Sequence, residues 1–254
     1  MSKKRILIPL PSYGCDPSEV AIPSKILIEK GFDLVFITPD GNKAETDQIM
    51  LTGKSLGLLK SALAARKDAV EAYQELSKSK SFSSPLKYSD VSEHDFDALL
   101  LPGGHDKPVK EYLESDILQN LVGNFFAKNK TVAAICHGVV LAARSMDKQT
   151  GKSVLYNYRT TALLKSQELL AYNITRLWMG DYYLTYPEIT VEDEVKSVLQ
   201  NSTQFIQGPR PILRDDFQHL SRGFIVRDRN FVSARWPGDV YNFSLQFAQM
   251  LESM

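Results

Sequence analysis

Cys136 is followed by His137 and Gly138, at the point where a short apolar run from 131 to 135 gives way to the helical pattern of residues 138–145. A chain that passes directly from strand to helix turns tightly, and the residue at the apex stands at the carboxyl edge of the sheet with a strained backbone. A thiol there meets the positive end of the helix dipole, which favours thiolate over thiol. Gly138 lets the chain pass closely behind, and His137 is a candidate to orient or deprotonate the sulfur. A buried structural cysteine is the alternative that spacing alone leaves open.

Two further sets of residues reach the same edge. Pro102-Gly103-Gly104-His105 follows the apolar run 96–101. Its glycines allow backbone N–H groups to face a developing oxyanion, and a plain tight turn is the competing explanation. Glu19 follows the first strand in Cys15-Asp16-Pro17-Ser18-Glu19. A partly buried glutamate beside a cysteine can share or shuttle a proton, whereas Asp16 or Ser18 with an acidic first turn also reads as helix capping. Cys15 is a candidate substrate contact or a resolving partner for an oxidised Cys136, with a plain loop cysteine as the alternative. His105 is a candidate substrate contact; His94 and His219 have no motif around them and read as surface residues.

The elements that must hold these groups follow from period and punctuation. Residues 5–10 form a short strand, Val20, Ile26 and Leu27 before Gly31 a one-sided helix, and residues 33–38 a buried strand closed by Pro39-Asp40-Gly41. This β-turn-α-β opening seeds a parallel sheet. Residues 55–80 read as one or two inserted helices, a candidate lid, and the serine-rich stretch 77–84 as a loop. Strands at 96–101 and 131–135, with helices at 118–126 and 138–145, continue the alternation. A short strand at 153–155, a helix over 162–177, a strand pair at 223–227 and 230–234, and a last helix after Pro237-Gly238-Asp239 complete it. Trp178, Tyr182, Tyr183 and Tyr186 suit a ligand wall, a subunit contact or ordinary packing. No linker separates two bodies, so one domain over 1–254 is expected, and ligands of such sheets collect at the carboxyl ends of the strands.

Bulk composition narrows the function. Thirty basic residues balance thirty acidic ones in 254, so no net field draws the protein to nucleic acid or acidic membrane. The first apolar run is too short for a signal or a membrane span, and two cysteines make no disulfide framework, so a cytoplasmic location is expected. Four scattered histidines lack ligand spacing, and neither a P-loop nor GxGxxG occurs; no metal and no cofactor are expected.

The combination of PGGHD at 102–106, AAICHG at 133–138 and a glutamate soon after the first strand resembles the ThiJ/PfpI superfamily, also called the DJ-one/PfpI family. The resemblance runs from Lys4 to about Gln249, and the cysteine turn is its most specific element. Length, the insertion after Ser55 and the Cys-His adjacency are most similar to the longer branch of heat-shock chaperones and glutathione-independent glyoxalases. It implies an α/β three-layer sandwich with a mainly parallel central sheet, flavodoxin-like or class I glutamine amidotransferase-like, with helical insertions, and commonly a homodimer. It further implies Cys136 as nucleophile, Glu19 as the carboxyl bonded to its sulfur, and His137 as base. Gly104, Gly103 and the N–H of His137 would be the oxyanion donors. Many relatives add an acid that orients the histidine; residues 158–162 hold no carboxylate, and the nearest candidate is Glu168.

The expected function is therefore a cysteine-dependent enzyme acting on small reactive carbonyls such as methylglyoxal, a glyoxalase III-like lyase or related hydrolase in stress response. A holdase chaperone or redox sensor is one alternative. An amidase or peptidase of the PfpI type, acting on amide substrates, is another.

Overall fold

The computed structural model describes residues 3–253. Strand β1 (Arg5–Pro9) leads through the short β2 (Tyr13–Cys15) into α1 (Pro17–Glu29). Asp16 sets the start of α1: its Oδ1 accepts from Ser18 N at 2.7 Å and Glu19 N at 3.1 Å, and Pro17 occupies the first helical position, where no N–H is needed. Strands β3 (Asp33–Thr38) and β4 (Glu45–Thr46) follow.

Helix α2 (Gln48–Thr52) precedes the inserted stretch, which is broken into α3 (Lys60–Leu63), α4 (Lys67–Leu76) and α5 (Lys80–Ser83), so the expected serine-rich loop contains a helical turn. Gly53 ends α2 in the left-handed conformation, and Ala64 ends α3 in an extended one. Helix α4 is no lid. Ala69, Ala72, Tyr73 and Leu76, at helical spacing, bury one face, and the helix lies along α1.

The chain continues through β5 (Leu86–Lys87), β6 (Ala98–Leu101), α6 (Lys110–Leu113), α7 (Asp116–Ala127), β7 (Thr131–Ile135) and α8 (Gly138–Arg144). The strand expected at 153–155 is instead a two-residue antiparallel pair off the main sheet, β8 (Met146–Asp147) with β9 (Lys152–Ser153). The next helix, α9 (Lys165–Met179), starts later than expected because Thr160 and Thr161 are tied to Ser233: Thr160 Oγ1 donates to Ser233 Oγ at 3.0 Å, and that oxygen accepts from Thr161 N at 2.9 Å. Then come α10 (Val191–Val198), β10 (Ile225–Asp228), β11 (Phe231–Ala234) and α11 (Val240–Glu252).

The central sheet has the order β10-β11-β7-β6-β1-β3-β5, parallel throughout except for β10 at one edge. Strand periodicity sorts its side chains into two layers. Ile6, Ile8, Leu100, Ala133 and Ile135 pack with α1, α4 and α11; Leu7, Leu99, Leu101, Val132 and Ala134 pack with α7, α8 and α10. The strand order reverses between β1 and β6, and a sheet opens its ligand crevice at the carboxyl end of such a switch point. The turns after β1, β6 and β7 carry Glu19, Gly103-Gly104 and Cys136. Among the described residues no helix is long and apolar enough to cross a membrane.

Candidate active site

Cys136 joins β7 to α8 with φ of 56°, one of the few non-glycine residues in the left-handed region. The tightness of this elbow rests on Gly138, because a Cβ there would stand 2.1 Å from the carbonyl oxygen of Leu101 at the end of β6. Gly103 is required in the same way: a Cβ would meet His137 N at 2.7 Å and Glu19 Oε2 at 2.8 Å.

Glu19 reaches this junction from the first turn of α1. Its Oε2 accepts from Gly103 N at 2.8 Å. The Cys136 thiol lies against the carboxyl and contributes hydrogen bonding to it, while Oε1 makes no hydrogen bond of ordinary geometry. Capping and site readings of this segment thus divide between neighbours, with Asp16 closing the helix and Glu19 facing the sulfur. The Gly103 N–H expected at an oxyanion is committed to Glu19, and the N–H of His137 lies against the sulfur and lowers its proton affinity. Gly104 lines the cavity beside Cys136, and no acceptor takes its N–H among the described residues.

His137 is fully buried, and its Nδ1 lies 3.4 Å from Cys136 Sγ. Its other nitrogen, Nε2, lies 3.0 Å from Thr185 Oγ1, and the same hydroxyl is 2.6 Å from the carbonyl oxygen of His105. A carbonyl only accepts, so Thr185 donates its one proton to His105 O and must accept from His137 Nε2–H. That fixes the tautomer and leaves Nδ1 as a bare lone pair facing the thiol. Sequence reading placed an acid in this position and missed Thr185, which has no motif around it. Glu168 is not brought to His137. Its Oε2 accepts from Val191 N at 2.9 Å at the start of α10, and its carboxyl lines the cavity.

Burial decides the charge states. It pushes the Cys136 thiol well above its ordinary range, with Glu19 and Asp16 acting the same way. It pushes Glu19 well above the carboxylate range, pushes Glu168 up to about 7, and holds His137 down to about 3. A helix end contributes about 0.3–1 kcal/mol, whereas an uncompensated buried charge costs several. Burial thus opposes the thiolate that the helix dipole favours, and it disfavours the charged imidazole beside it.

A cavity of about 180 Å³ opens above the sulfur. Its walls come from the α2–α3 segment (Met50, Ala62, Leu63), from α9, from Tyr183 and from Pro211 and Arg214. Of the four aromatics singled out, Tyr183 lines it, stacked on His105 with ring centres 4.6 Å apart. Tyr182 stands behind, hydrogen-bonded to Asp47. Trp178 points outward and donates to Ser55 O, and Tyr186 sits on Arg144. Cys15 is buried in the core and does not line the cavity. His94 and His219 lie on the surface beside Glu93 and Asp216.

The far wall is clamped by a buried ion pair. Arg235 donates from Nε to Asp239 Oδ2 and from Nη2 to Oδ1, both at 2.8 Å, and from Nη1 to the carbonyls of Pro209 and Gln207. Asp239 Oδ1 also accepts from Phe224 N at 2.9 Å.

Fold and site together define a mainly parallel α/β protein with a cysteine elbow at the switch point of its sheet and a buried carboxyl at the sulfur. The chain belongs to the ThiJ/PfpI family: the ThiJ/PfpI family-like profile matches residues 10–209. It is 25% identical over 225 residues to the Schizosaccharomyces pombe glutathione-independent glyoxalase hsp3101, covering 87% of this chain and 83% of that protein. It is 23% identical to a deglycase of Thermococcus kodakarensis, covering 65% of this chain and 69% of the other. The crystal structure of glyoxalase III from Candida albicans superposes with a TM-score of 0.70 at 17% identity, covering 97% of both chains, which is a likeness of fold.

Proposed function

We propose that the protein is a cysteine-dependent, glutathione-independent glyoxalase that converts a 2-oxoaldehyde to the 2-hydroxy acid. The observation that carries this reading is the position of Cys136 Sγ, 3.4 Å from His137 Nδ1 on one side and against the carboxyl of Glu19 on the other. Similarity to glyoxalases and a deglycase supports the substrate class.

In the proposed sequence Cys136 Sγ adds to the aldehyde carbon as its proton passes to His137 Nδ1, and protonated Glu19 supplies a proton to the carbonyl oxygen. This forms a hemithioacetal. Glu19, now ionised, removes the proton from the former aldehyde carbon while the imidazolium of His137 returns its proton to the neighbouring carbonyl oxygen, giving an enediol; protonated Glu19 then delivers its proton to that neighbouring carbon and takes up the hydroxyl proton of the sulfur-bearing carbon, which yields a thioester of the 2-hydroxy acid with both groups back in their starting forms. Water cleaves the thioester, releasing lactate from methylglyoxal and restoring the thiol. Because burial disfavours the ion pair of thiolate and imidazolium, proton transfer is coupled to formation of the carbon–sulfur bond.

The test is direct. Purified protein with methylglyoxal and no added thiol is expected to yield lactate in proportion to the aldehyde consumed; aldehyde loss without lactate would exclude this chemistry. The hydroxyl of Thr185 provides a second test. Thr185→Val keeps the shape but releases the tautomer of His137, and kcat is expected to fall about 10- to 100-fold. Thr185→Ser, which restores the hydroxyl, is expected to recover most of it, and a variant series with unchanged kcat would remove Thr185 from the mechanism.

A further inference from the structure

The cavity above Cys136 is larger and more apolar than the reaction of methylglyoxal needs. That aldehyde offers a single methyl beyond its two carbonyls, whereas a cavity of about 180 Å³ has room for on the order of ten waters. The walls above the sulfur are aliphatic: Met50 from α2, Leu63 from α3, Leu163 from the approach to α9, and Leu170, Ala171 and Ile174 from α9 itself. On α9 the lining positions 167, 170, 171 and 174 recur at helical spacing, so one face of the helix borders the cavity over about 10 Å.

The polar residues on the same walls turn their heads into the protein. Asp16 Oδ1 is taken by the first N–H groups of α1, and Glu168 Oε2 by Val191 N. Gln167 Oε1, the Tyr183 hydroxyl and Trp236 Nε1 are covered by neighbouring atoms and present nothing to the cavity. Arg214 directs Nη1 to Ala64 O at 2.9 Å and Nη2 to Ala62 O at 2.7 Å and Leu63 O at 3.2 Å, which fixes the wall that carries Leu63. Reactive groups are thus gathered on the floor at Cys136, and the space beyond is bounded mainly by hydrocarbon. At its outer end Leu170 is 61% exposed and Ile174 40% exposed although both line the cavity, so the apolar wall runs out to solvent. An apolar ligand entering there covers these side chains, and each methylene it buries favours binding about three- to fourfold.

Resting on the glyoxalase reading above, we propose that the space between α9 and the α2–α3 segment is a subsite for the substituent on the ketone carbon, and that the preferred substrate class is a 2-oxoaldehyde bearing an alkyl chain of several carbons in place of the methyl group. The dicarbonyl head reacts at Cys136, and the chain lies between Leu63 and Ala171 and points toward Leu170 and Ile174. Because the chain takes no part in bond making, it is held equally before and during the reaction, so its effect falls on KM and leaves kcat nearly constant.

The probes are methylglyoxal, 2-oxobutanal, 2-oxopentanal and 2-oxohexanal, in which the reacting carbonyls stay the same while the chain grows by single methylenes. In the parent, kcat/KM is expected to rise about threefold per methylene and about tenfold or more across the series, with most of the change in KM. Ala171→Leu, which fills the space facing Leu63, is expected to lower the ratio of 2-oxohexanal to methylglyoxal about tenfold. Ile174→Asn alters a side chain already open to solvent and is expected to lower the same ratio about threefold; it decides the matter if the larger side chain at 171 unfolds the protein. A parent ratio of one or less, or a ratio that both variants leave unchanged, overturns the proposal. Binding of 2-hexanone and acetone, which carry the two chains but no aldehyde, to the Cys136→Ser protein separates the two readings. If no aldehyde is converted but 2-hexanone binds about tenfold more tightly than acetone and Ala171→Leu weakens it, the subsite stands and the glyoxalase reading falls. Conversion of every aldehyde in the series with one kcat/KM, and equal binding of the two ketones, keeps the glyoxalase reading and removes the subsite.

Discussion

Cys136→Ser is expected to lower kcat/KM for 2-oxoaldehydes by about 10³-fold or more while leaving the fold intact. Serine fits the elbow, whose φ of 56° is imposed by the close approach of Gly138 to Leu101 O and not by the sulfur. The hydroxyl is far less acidic than the thiol, and His137, held down to about 3 by burial, is too weak a base to compensate. Covalent addition then has no competent nucleophile. The measurement is lactate formation by parent and variant at matched concentration, with thermal unfolding as a control on folding. Equal rates would end the account given for the sulfur. Suppression of client aggregation, measured on the same two proteins, addresses the holdase alternative, which draws on the apolar side chains exposed along α9 at Leu170, Ile174 and Leu177. A holdase surface of that kind does not depend on Cys136.

The second large effect concerns stability. Arg235→Ala removes a guanidinium that is 1% exposed and leaves Asp239, at 0%, buried against two backbone N–H donors without its counter-ion. Breaking a buried pair from one side costs about 3–5 kcal/mol. For a chain of this length that corresponds to a fall in Tm of about 6–20 °C. The deficit is expected to shrink as pH is lowered, because an orphaned Asp239 escapes its penalty by taking a proton; a deficit independent of pH would argue that the loss lies in the bonds to the Gln207 and Pro209 carbonyls instead. Calorimetry of parent and variant at two pH values distinguishes these outcomes.

The parts of the fold that could be read from sequence are those whose signal is local. Apolar runs at 33–38 and 131–135 became strands at the expected residues, because a strand buried on both faces is apolar throughout. The Pro-Gly-Gly-His and Cys-His-Gly turns announced backbone approaches that only glycine permits. Residues whose importance comes from distant partners gave no such signal. Thr185 matters because two chain segments bring His137 and the His105 carbonyl to one hydroxyl, and Arg214 because the insertion places Ala62–Ala64 against it. The burial that opposes the expected thiolate has a related origin. Dipole strength can be estimated from a strand-to-helix junction, but the burial that opposes it comes from side chains that distant segments of the chain bring around the sulfur.

The cavity has a floor and walls of different origin: the floor is three turns at the sheet edge, and the walls are the segment around Met50 to Ala64, α9 and the stretch carrying Pro211 and Arg214. On the proposed reading, mutations in the walls are therefore expected to change which substrate fits without disturbing the geometry at the sulfur. Such an arrangement separates the part of the site that would select a ligand from the part that would react with it, and chimeras that exchange residues 48–64 with those of a relative offer a route to altered selectivity.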